Sequence, residues 1–359
     1  MRTHETRVQC ATILSCLSVL TMTIEVPAML PEKNASCVLS AFTPPRVVIG
    51  CWQILERHPD ESTAVETLKA YAHAGFTTFD TADIYGRSEA VLGRLRSSGA
   101  TPVIHIHTKF VTRESDARTA RDVNRRSSEA LGAAPDLVAF HWWDYTDKRF
   151  VKAAEHLSVL REEGLLQHVA ACNFDLPHLQ ALVDAGVPIV SNQVQYSLID
   201  RRPENGMLSY CKARGIRLAT FGTVAGGLLS DKWLGAPPPS REQLSTVSAR
   251  MYFAPLSRWT GGNWELFQQL LRTMRSVADK HTTSIANVAS AWVLRQLGPE
   301  GGWVILGVRD IQHLAEHVSL RELDVGDKLD DEDEAMLRAV LAKGQPPQGC
   351  IWSHERGLA

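Results

Sequence analysis

The sequence predicts a single (β/α)8 barrel, in which eight parallel strands close into a cylinder and each strand is followed by a helix. From residue 46 onward, short β-branched apolar runs alternate with longer amphipathic runs. Eight such pairs extend over roughly 300 residues, the usual size of a barrel of this kind. An open doubly wound sheet shows the same alternation, but the count of eight favours the barrel. No G-x-G-x-x-G follows the first predicted strand, and no P-loop occurs.

The predicted strands are apolar runs rich in Val, Ile, Thr and Phe. They span 46–52, 76–80, 101–110, 135–143, 165–174, 188–196, 216–221 and 302–308. Parallel pairing follows from the helix between successive strands, because such crossovers are right-handed and return the chain in the same direction.

The predicted helices have apolar residues three and four positions apart. They span 61–75, 88–99, 113–131, 148–164, 176–186, 206–215, 264–281 and 285–297, with a further helix from Asp310. Gly75 and Gly164 fit helix C-termini, and Ser88 fits an N-cap. The segment 222–262 is predicted to be irregular, and its Pro- and Gly-rich stretches suit a mobile cover over a site.

Composition and charge indicate a soluble globular protein. The 359 residues are 44% hydrophobic and 22% charged, with a formal net charge of −2, so no basic surface for nucleic acid is predicted. Seven widely spaced cysteines indicate free thiols in a reducing compartment, and we therefore expect a cytoplasmic protein. Nothing in the sequence predicts its oligomeric state.

The predicted domain organisation is a barrel over 46–345, a C-terminal tail over 346–359 and a disordered or processed extension over 1–45. The apolar run within that extension is too short and too polar for a membrane span. A basic stretch followed by an apolar one also fits a secretory signal or an organellar transit peptide.

Polar residues stand at or near the ends of predicted strands, where barrels place their active sites. Asp80 and Tyr85 follow the second strand, Lys109 ends the third and His141 ends the fourth. A lysine beside a tyrosine favours the phenolate and lowers the tyrosine pKa, and an aspartate can hold that lysine in place. A histidine can donate to a carbonyl oxygen. Each residue alone fits an ordinary cap, packing or surface role, but together they form a proton donor suited to hydride transfer.

The motifs "DTADIYG…LG", "HTKF" and "FHWWD" resemble those of the aldo-keto reductase superfamily, from about Arg46 to about Leu320. The resemblance implies that Asp80, Tyr85, Lys109 and His141 form a catalytic tetrad. It also implies reduction of an aldehyde or ketone to an alcohol, or the reverse reaction.

The same resemblance implies NADP(H) as the cofactor, with NAD also possible. Asn173 and Gln193, in "CNF" and "NQ", would hold the nicotinamide carboxamide, and Phe221 would stack on the ring. Arg309 would bind the phosphate of the adenosine. The other cofactor-binding residues implied are Gly222, Leu228, Gly307, His313, Glu316 and His317.

Two other functions fit parts of the sequence. His105, His107, His141 and His168, with Lys109, could belong to a metal hydrolase, although the last strand carries no aspartate. The stretch "NQVQYSLIDRR" is similar to potassium-channel β subunits, which implies a cofactor-binding regulatory subunit. A separate hypothesis is that His107, two positions from Lys109 on one strand, tunes the lysine charge.

Overall fold

The computed structural model describes residues 42–56, 60–99, 102–325 and 329–349. In these ranges eight parallel strands close into a barrel in sequence order, with β1 also pairing with β8. The strands are β1 (Val47–Gly50), β2 (Thr78–Asp80), β3 (His105–Thr112), β4 (Leu137–Trp142), β5 (His168–Cys172), β6 (Ile189–Gln195), β7 (Arg217–Phe221) and β8 (Gly302–Gly307). The predicted (β/α)8 barrel is confirmed.

Amphipathic helices surround the barrel. They are α1 (Glu61–His73), α2 (Ser88–Ser97), α3 (Ala117–Leu131), α4 (Phe150–Glu162), α5 (Leu176–Asp184), α6 (Met207–Arg214), α7 (Val247–Thr260), α8 (Trp264–Lys280), α9 (Ile285–Leu297), α10 (Leu314–Val325) and α11 (Asp331–Leu341). Asp60, Asp116 and Asp175 cap α1, α3 and α5 by accepting hydrogen bonds from first-turn amides. Within the described ranges, no helix is long and apolar enough to cross a bilayer.

The core has two layers because side chains alternate along each strand. On β1, Val48 joins a cluster inside the barrel, whereas Val47 and Ile49 pack between the strands and the helices. The interior cluster also contains Trp303 and Cys172. The barrel is therefore filled with side chains, and any ligand must bind at one of its ends.

Phe42 closes the end of the barrel where the strands begin. Its ring centroid lies 4.6 Å from that of His168, 5.9 Å from that of His107 and 5.8 Å from that of Trp303. Arg217 donates a hydrogen bond to its carbonyl oxygen. The packed fold thus includes residue 42, within the predicted extension 1–45. Residues 1–41 and 350–359, most of that extension and of the predicted tail, lie outside the described ranges.

The prediction that 222–262 is irregular throughout is wrong for α7. Thr246 caps this helix by accepting a hydrogen bond from Ala249, and its buried face carries Tyr252, Leu256 and Trp259. Pro255 lies inside the helix, where proline normally breaks the pattern by removing one hydrogen bond. Burial of the apolar stripe outweighs that loss. The helix packs on the short turn at Ala225–Gly227, directly after β7.

Candidate active site

The barrel brings the predicted catalytic residues to one mouth. Asp80 is the last residue of β2, Lys109 lies three residues before the end of β3, and His141 is the penultimate residue of β4. β3 extends to Thr112, two residues beyond its predicted end. All eight strands run in the same direction, so their carboxyl ends share the mouth opposite Phe42.

Asp80 and Lys109 form a buried ion pair at the centre of this mouth. Lys109 Nζ donates to Asp80 Oδ1 at 2.6 Å and to the carbonyl oxygen of Thr81 at 2.7 Å. The lysine is 3% exposed and the aspartate 5%. Burial alone would lower the pKa of Lys109, but Asp80 and Tyr85 together raise it well above its usual value. The lysine therefore stays charged although it is buried.

Tyr85 lies directly beside this pair, with Lys109 Nζ 4.9 Å from its ring centroid. Burial raises the pKa of Tyr85 to about 12, Lys109 opposes the rise, and Asp80 adds to it. The lysine thus acts in the predicted direction, but the expected net lowering of the pKa is wrong because burial outweighs it. The phenol is protonated at neutral pH, as a proton donor must be.

His141 and the rings of Trp143 and Trp52 lie at the carboxyl ends of β4 and β1, at the same mouth as Tyr85. The imidazole of His141 is buried, and its centroid lies 6.0 Å from that of Trp143. The ring of Trp52 lies 6.4 Å from that of Tyr85 and is 43% exposed. Trp52 was not among the predicted site residues, although its position at the end of the first predicted strand could have indicated it. The Trp52 ring therefore gives the mouth an apolar surface next to Tyr85.

Gln193, on β6, contacts the ion pair directly. Its Nε2 donates to Asp80 Oδ2 at 2.7 Å, and its Oε1 accepts a hydrogen bond from the Cys172 thiol at 3.8 Å. The resemblance implied that this amide holds the nicotinamide carboxamide. In the structure its nitrogen already donates a hydrogen bond to the Asp80 carboxylate.

Asn173 fits the predicted carboxamide-binding role. Its backbone is in the left-handed region at φ 59°, a conformation that asparagine tolerates better than most residues. Its backbone N–H donates to Gln193 O at 2.8 Å, and its carbonyl accepts from Tyr145 Oη at 2.7 Å. The side-chain Oδ1 is buried and has no hydrogen-bond partner. An N–H donor from a ligand would satisfy this acceptor.

The end of β7 forms the next part of the mouth. Phe221, the predicted stacking residue, is half-buried and packs against the interior cluster, and Leu228 is fully buried. Gly222 has φ +73°, and a Cβ there would approach the Tyr252 ring to 2.7 Å. Burial raises the pKa of Tyr252 above its usual value, with Asp200 and Tyr85 adding to the shift.

Tyr252 was not among the predicted site residues because it lies in the segment predicted to be irregular. Gly226, four residues after Gly222, also leaves room for this tyrosine, since a Cβ there would approach its ring to 2.9 Å. The sequence does contain a signal for this contact. Gly222 and Gly226 are four residues apart, and the apolar residues of 247–260 have the spacing of a helix that could pack against them.

The turn after β8 contains the predicted phosphate-binding residues. Gly307 ends the strand, and Arg309 lies before the short 3-10 turn Ile311–His313 that leads into α10. His313 Nδ1 lies 3.1 Å from Glu316 Oε2, and this hydrogen bond raises the pKa of His313. The same bond lowers the pKa of Glu316. The turn therefore carries an arginine and a histidine just before the N-terminal end of α10, where anions bind favourably.

His317, one turn further along α10, is buried against α1. Its Nδ1 lies 3.2 Å from Tyr71 Oη. Burial lowers the pKa of His317 to about 4, with the nearby His313 adding to the shift, so it is neutral at physiological pH. Its direct contacts thus give it a packing role beneath the turn, whereas His313 is half-exposed.

The histidines proposed for a metal hydrolase do not form a metal site. Among the described residues, no three His, Cys, Asp or Glu side chains are grouped so that they could hold a metal ion. His107 packs against Phe42 and Trp303, and burial lowers its pKa to about 3. A neutral imidazole carries no charge, so the structure does not support the hypothesis that His107 tunes the charge of Lys109.

Comparison with known proteins extends these observations. A model of the aldo/keto reductase family matches residues 46–342. Flagellar radial spoke protein 5 of Chlamydomonas reinhardtii is 30% identical over 181 residues, which are 44% of this chain and 33% of that protein. Aldo-keto reductase YhdN of Bacillus subtilis is 26% identical over 311 residues, which are 82% of this chain and 89% of that protein.

Solved structures share the barrel fold. The aldo/keto reductase of Klebsiella pneumoniae in complex with NADP and acetate superimposes with a TM-score of 0.65 at 20% identity, covering 86% of this chain and 94% of that one. At this identity the likeness shows the common fold. The chain spans a third of the length of the radial spoke protein and most of that of YhdN. Because the family model covers most of its length, the chain belongs to the aldo/keto reductase family.

Proposed function

We propose that the protein is an NADP(H)-dependent oxidoreductase that interconverts an aldehyde or ketone and its alcohol. The observation that carries this proposal is the Tyr85 phenol, protonated and half-buried, beside the Asp80–Lys109 ion pair at the mouth of the barrel. Family membership supports carbonyl chemistry, and the NADP bound to the Klebsiella relative supports the cofactor.

Each polar residue at the mouth has a separate role in the proposed reaction. When bound, the reduced cofactor supplies the hydride to the carbonyl carbon. Tyr85 gives its proton to the carbonyl oxygen, and Lys109 stabilises the phenolate that remains. Asp80 holds Lys109 by a bond of 2.6 Å and keeps it charged. His141 donates to the carbonyl oxygen and orients it toward Tyr85.

The proposed cofactor site extends from β5 across the mouth to α10. At the nicotinamide end, the buried and unpartnered Oδ1 of Asn173 accepts from the carboxamide, and Phe221 stacks on the ring. Gly222, Leu228 and Gly307 form its walls. At the adenosine end, Arg309 and His313 bind the 2′-phosphate, which favours NADP over NAD. Glu316 holds His313 in place, and His317 supports the turn from below.

The test measures by absorbance whether the purified protein consumes NADPH, and in parallel NADH, with a panel of aldehydes and ketones. The reverse direction uses NADP with the matching alcohols. We expect turnover with NADPH and a higher KM with NADH.

Two outcomes would contradict the proposal. Tight NADPH binding without turnover of any substrate, together with a stable protein partner, would favour the regulatory role. Absence of NADPH binding would show that the cofactor assignment is wrong.

A further inference from the structure

Both oxygens of the catalytic carboxylate are bonded to side chains. Asp80 Oδ1 accepts from Lys109 at 2.6 Å, and Oδ2 accepts from Gln193 Nε2 at 2.7 Å. The glutamine lies 113 residues further along the chain and is 7% exposed. Its bond crosses the barrel interior from β6 to β2. The Asp80 carboxylate is thus fixed by Lys109 at one oxygen and by Gln193 at the other.

The chemistry of Asp80 fixes the orientation of the Gln193 amide. A carboxylate bonded to an ammonium only accepts hydrogen bonds, so the group facing it must be the amide nitrogen. The amide oxygen therefore faces the other way, toward Cys172 Sγ at 3.8 Å. A thiol is a weak donor, which leaves this oxygen with a poor partner.

The surroundings of that oxygen belong to the proposed nicotinamide site. Asn173, whose side-chain Oδ1 has no partner, donates its backbone N–H to the backbone carbonyl oxygen of Gln193 at 2.8 Å. Two side-chain amide oxygens without a strong donor are therefore carried by neighbouring elements, Asn173 directly after β5 and Gln193 on β6. A carboxamide group carries two N–H donors and matches them.

We propose that Gln193 is a positioning residue that couples cofactor binding to the catalytic ion pair. Its nitrogen holds Asp80 while its oxygen accepts from the nicotinamide carboxamide, so that one amide contacts both partners. Hydrogen bonds in such a chain polarise one another, and a donor at the oxygen strengthens the bond from the nitrogen to Asp80. The coupling rests on the proposed NADP(H) function, whereas the bond between Gln193 and Asp80 does not.

The first experiment tests that bond without cofactor. Gln193→Met keeps the length of the side chain but removes both hydrogen bonds, and Asp80→Asn keeps the shape of the carboxylate but removes its charge. Urea unfolding of both single variants and the double variant forms a double-mutant cycle. We expect the two effects to be strongly non-additive. Additive effects would overturn the proposal.

Gln296→Met is the matched control. Gln296 Nε2 donates to the Glu334 carboxylate at 2.9 Å on the outer helices, so this change removes an amide–carboxylate bond far from the mouth. We expect its effect to be additive with Asp80→Asn. If Gln296→Met and Asp80→Asn are as strongly non-additive as Gln193→Met and Asp80→Asn, the non-additivity does not arise from the hydrogen bond between Gln193 and Asp80. The proposal would then fail.

The second experiment measures NADPH affinity in the same four proteins. We expect Gln193→Met to weaken NADPH binding by roughly tenfold or more when Asp80 is present, in the range for a lost hydrogen bond within a charged network. The weakening should be clearly smaller in the Asp80→Asn background. An equal loss in both backgrounds would show that Gln193 contacts the cofactor alone, which would overturn the coupling. If the wild type does not bind NADPH, the proposed function and the coupling fail together, and the urea cycle still decides the Gln193–Asp80 bond.

Discussion

The buried ion pair between Asp80 and Lys109 allows the effect of Lys109→Met on the free energy of unfolding to be predicted. This change keeps the volume of the side chain but leaves the Asp80 carboxylate buried with Gln193 as its one remaining side-chain donor among the described residues. At 2.6 Å and an effective dielectric constant of about 20, the lost attraction is about 6 kcal/mol. The Gln193 bond and local relaxation offset part of it. We therefore expect a loss of about 3–5 kcal/mol in the free energy of unfolding, as for other buried pairs broken on one side.

The assay is urea unfolding followed by circular dichroism. The double variant Asp80→Asn/Lys109→Met removes both charges and should be at least about 2 kcal/mol more stable than Lys109→Met alone. Arg125→Met is the control, because Arg125 pairs with Glu129 at 2.8 Å but both side chains are more than half exposed. We expect that change to cost less than about 1 kcal/mol. A double variant less stable than Lys109→Met would refute the electrostatic reasoning.

Two further predictions concern the proposed cofactor site. Since the Glu316 bond raises the pKa of His313, the imidazole is cationic below that pKa and loses its charge as pH rises through it. The KM for NADPH, relative to the KM for NADH, should therefore increase toward alkaline pH. His313→Gln should abolish this increase. If the ratio of the two KM values in the wild type does not change with pH, His313 does not bind the 2′-phosphate. Gly222→Ala should lower stability more than Gly227→Ala in urea unfolding. Both glycines have a positive φ, and an alanine in that conformation is destabilised by about 1–2 kcal/mol. A Cβ at Gly222 would in addition clash with Tyr252, whereas a Cβ at Gly227 would meet no atom within 4 Å. Equal losses would show that Tyr252 does not constrain this position.

The barrel could be predicted because local patterns determine it. Alternating apolar runs and helix caps are properties of neighbouring residues, and the closure of eight parallel strands follows from their number and direction. The pairing of Asp80 with Lys109 was also accessible, because strand ends in a parallel barrel meet at one mouth. Their 2.6 Å bond agrees with that expectation.

Features that depend on tertiary packing could not be predicted. Helix α7 forms despite Pro255 because its buried stripe is stabilised by a surface that the sequence does not show. The net rise in the pKa of Tyr85 depends on how deeply the barrel buries it. The bond from Gln193 to Asp80 joins residues 113 positions apart, and no local pattern indicates it.

The most direct test of the central claim is Tyr85→Phe, assayed for NADPH binding and for carbonyl reduction in the same preparation. Removing the phenol should reduce turnover roughly a hundred- to ten-thousand-fold, as expected for loss of a positioned general acid, while NADPH affinity stays close to that of the wild type. Tyr210→Phe, which removes a phenol from the outer helix α6, should leave both unchanged. Turnover by Tyr85→Phe at the wild-type rate would contradict the assignment of Tyr85 as the proton donor.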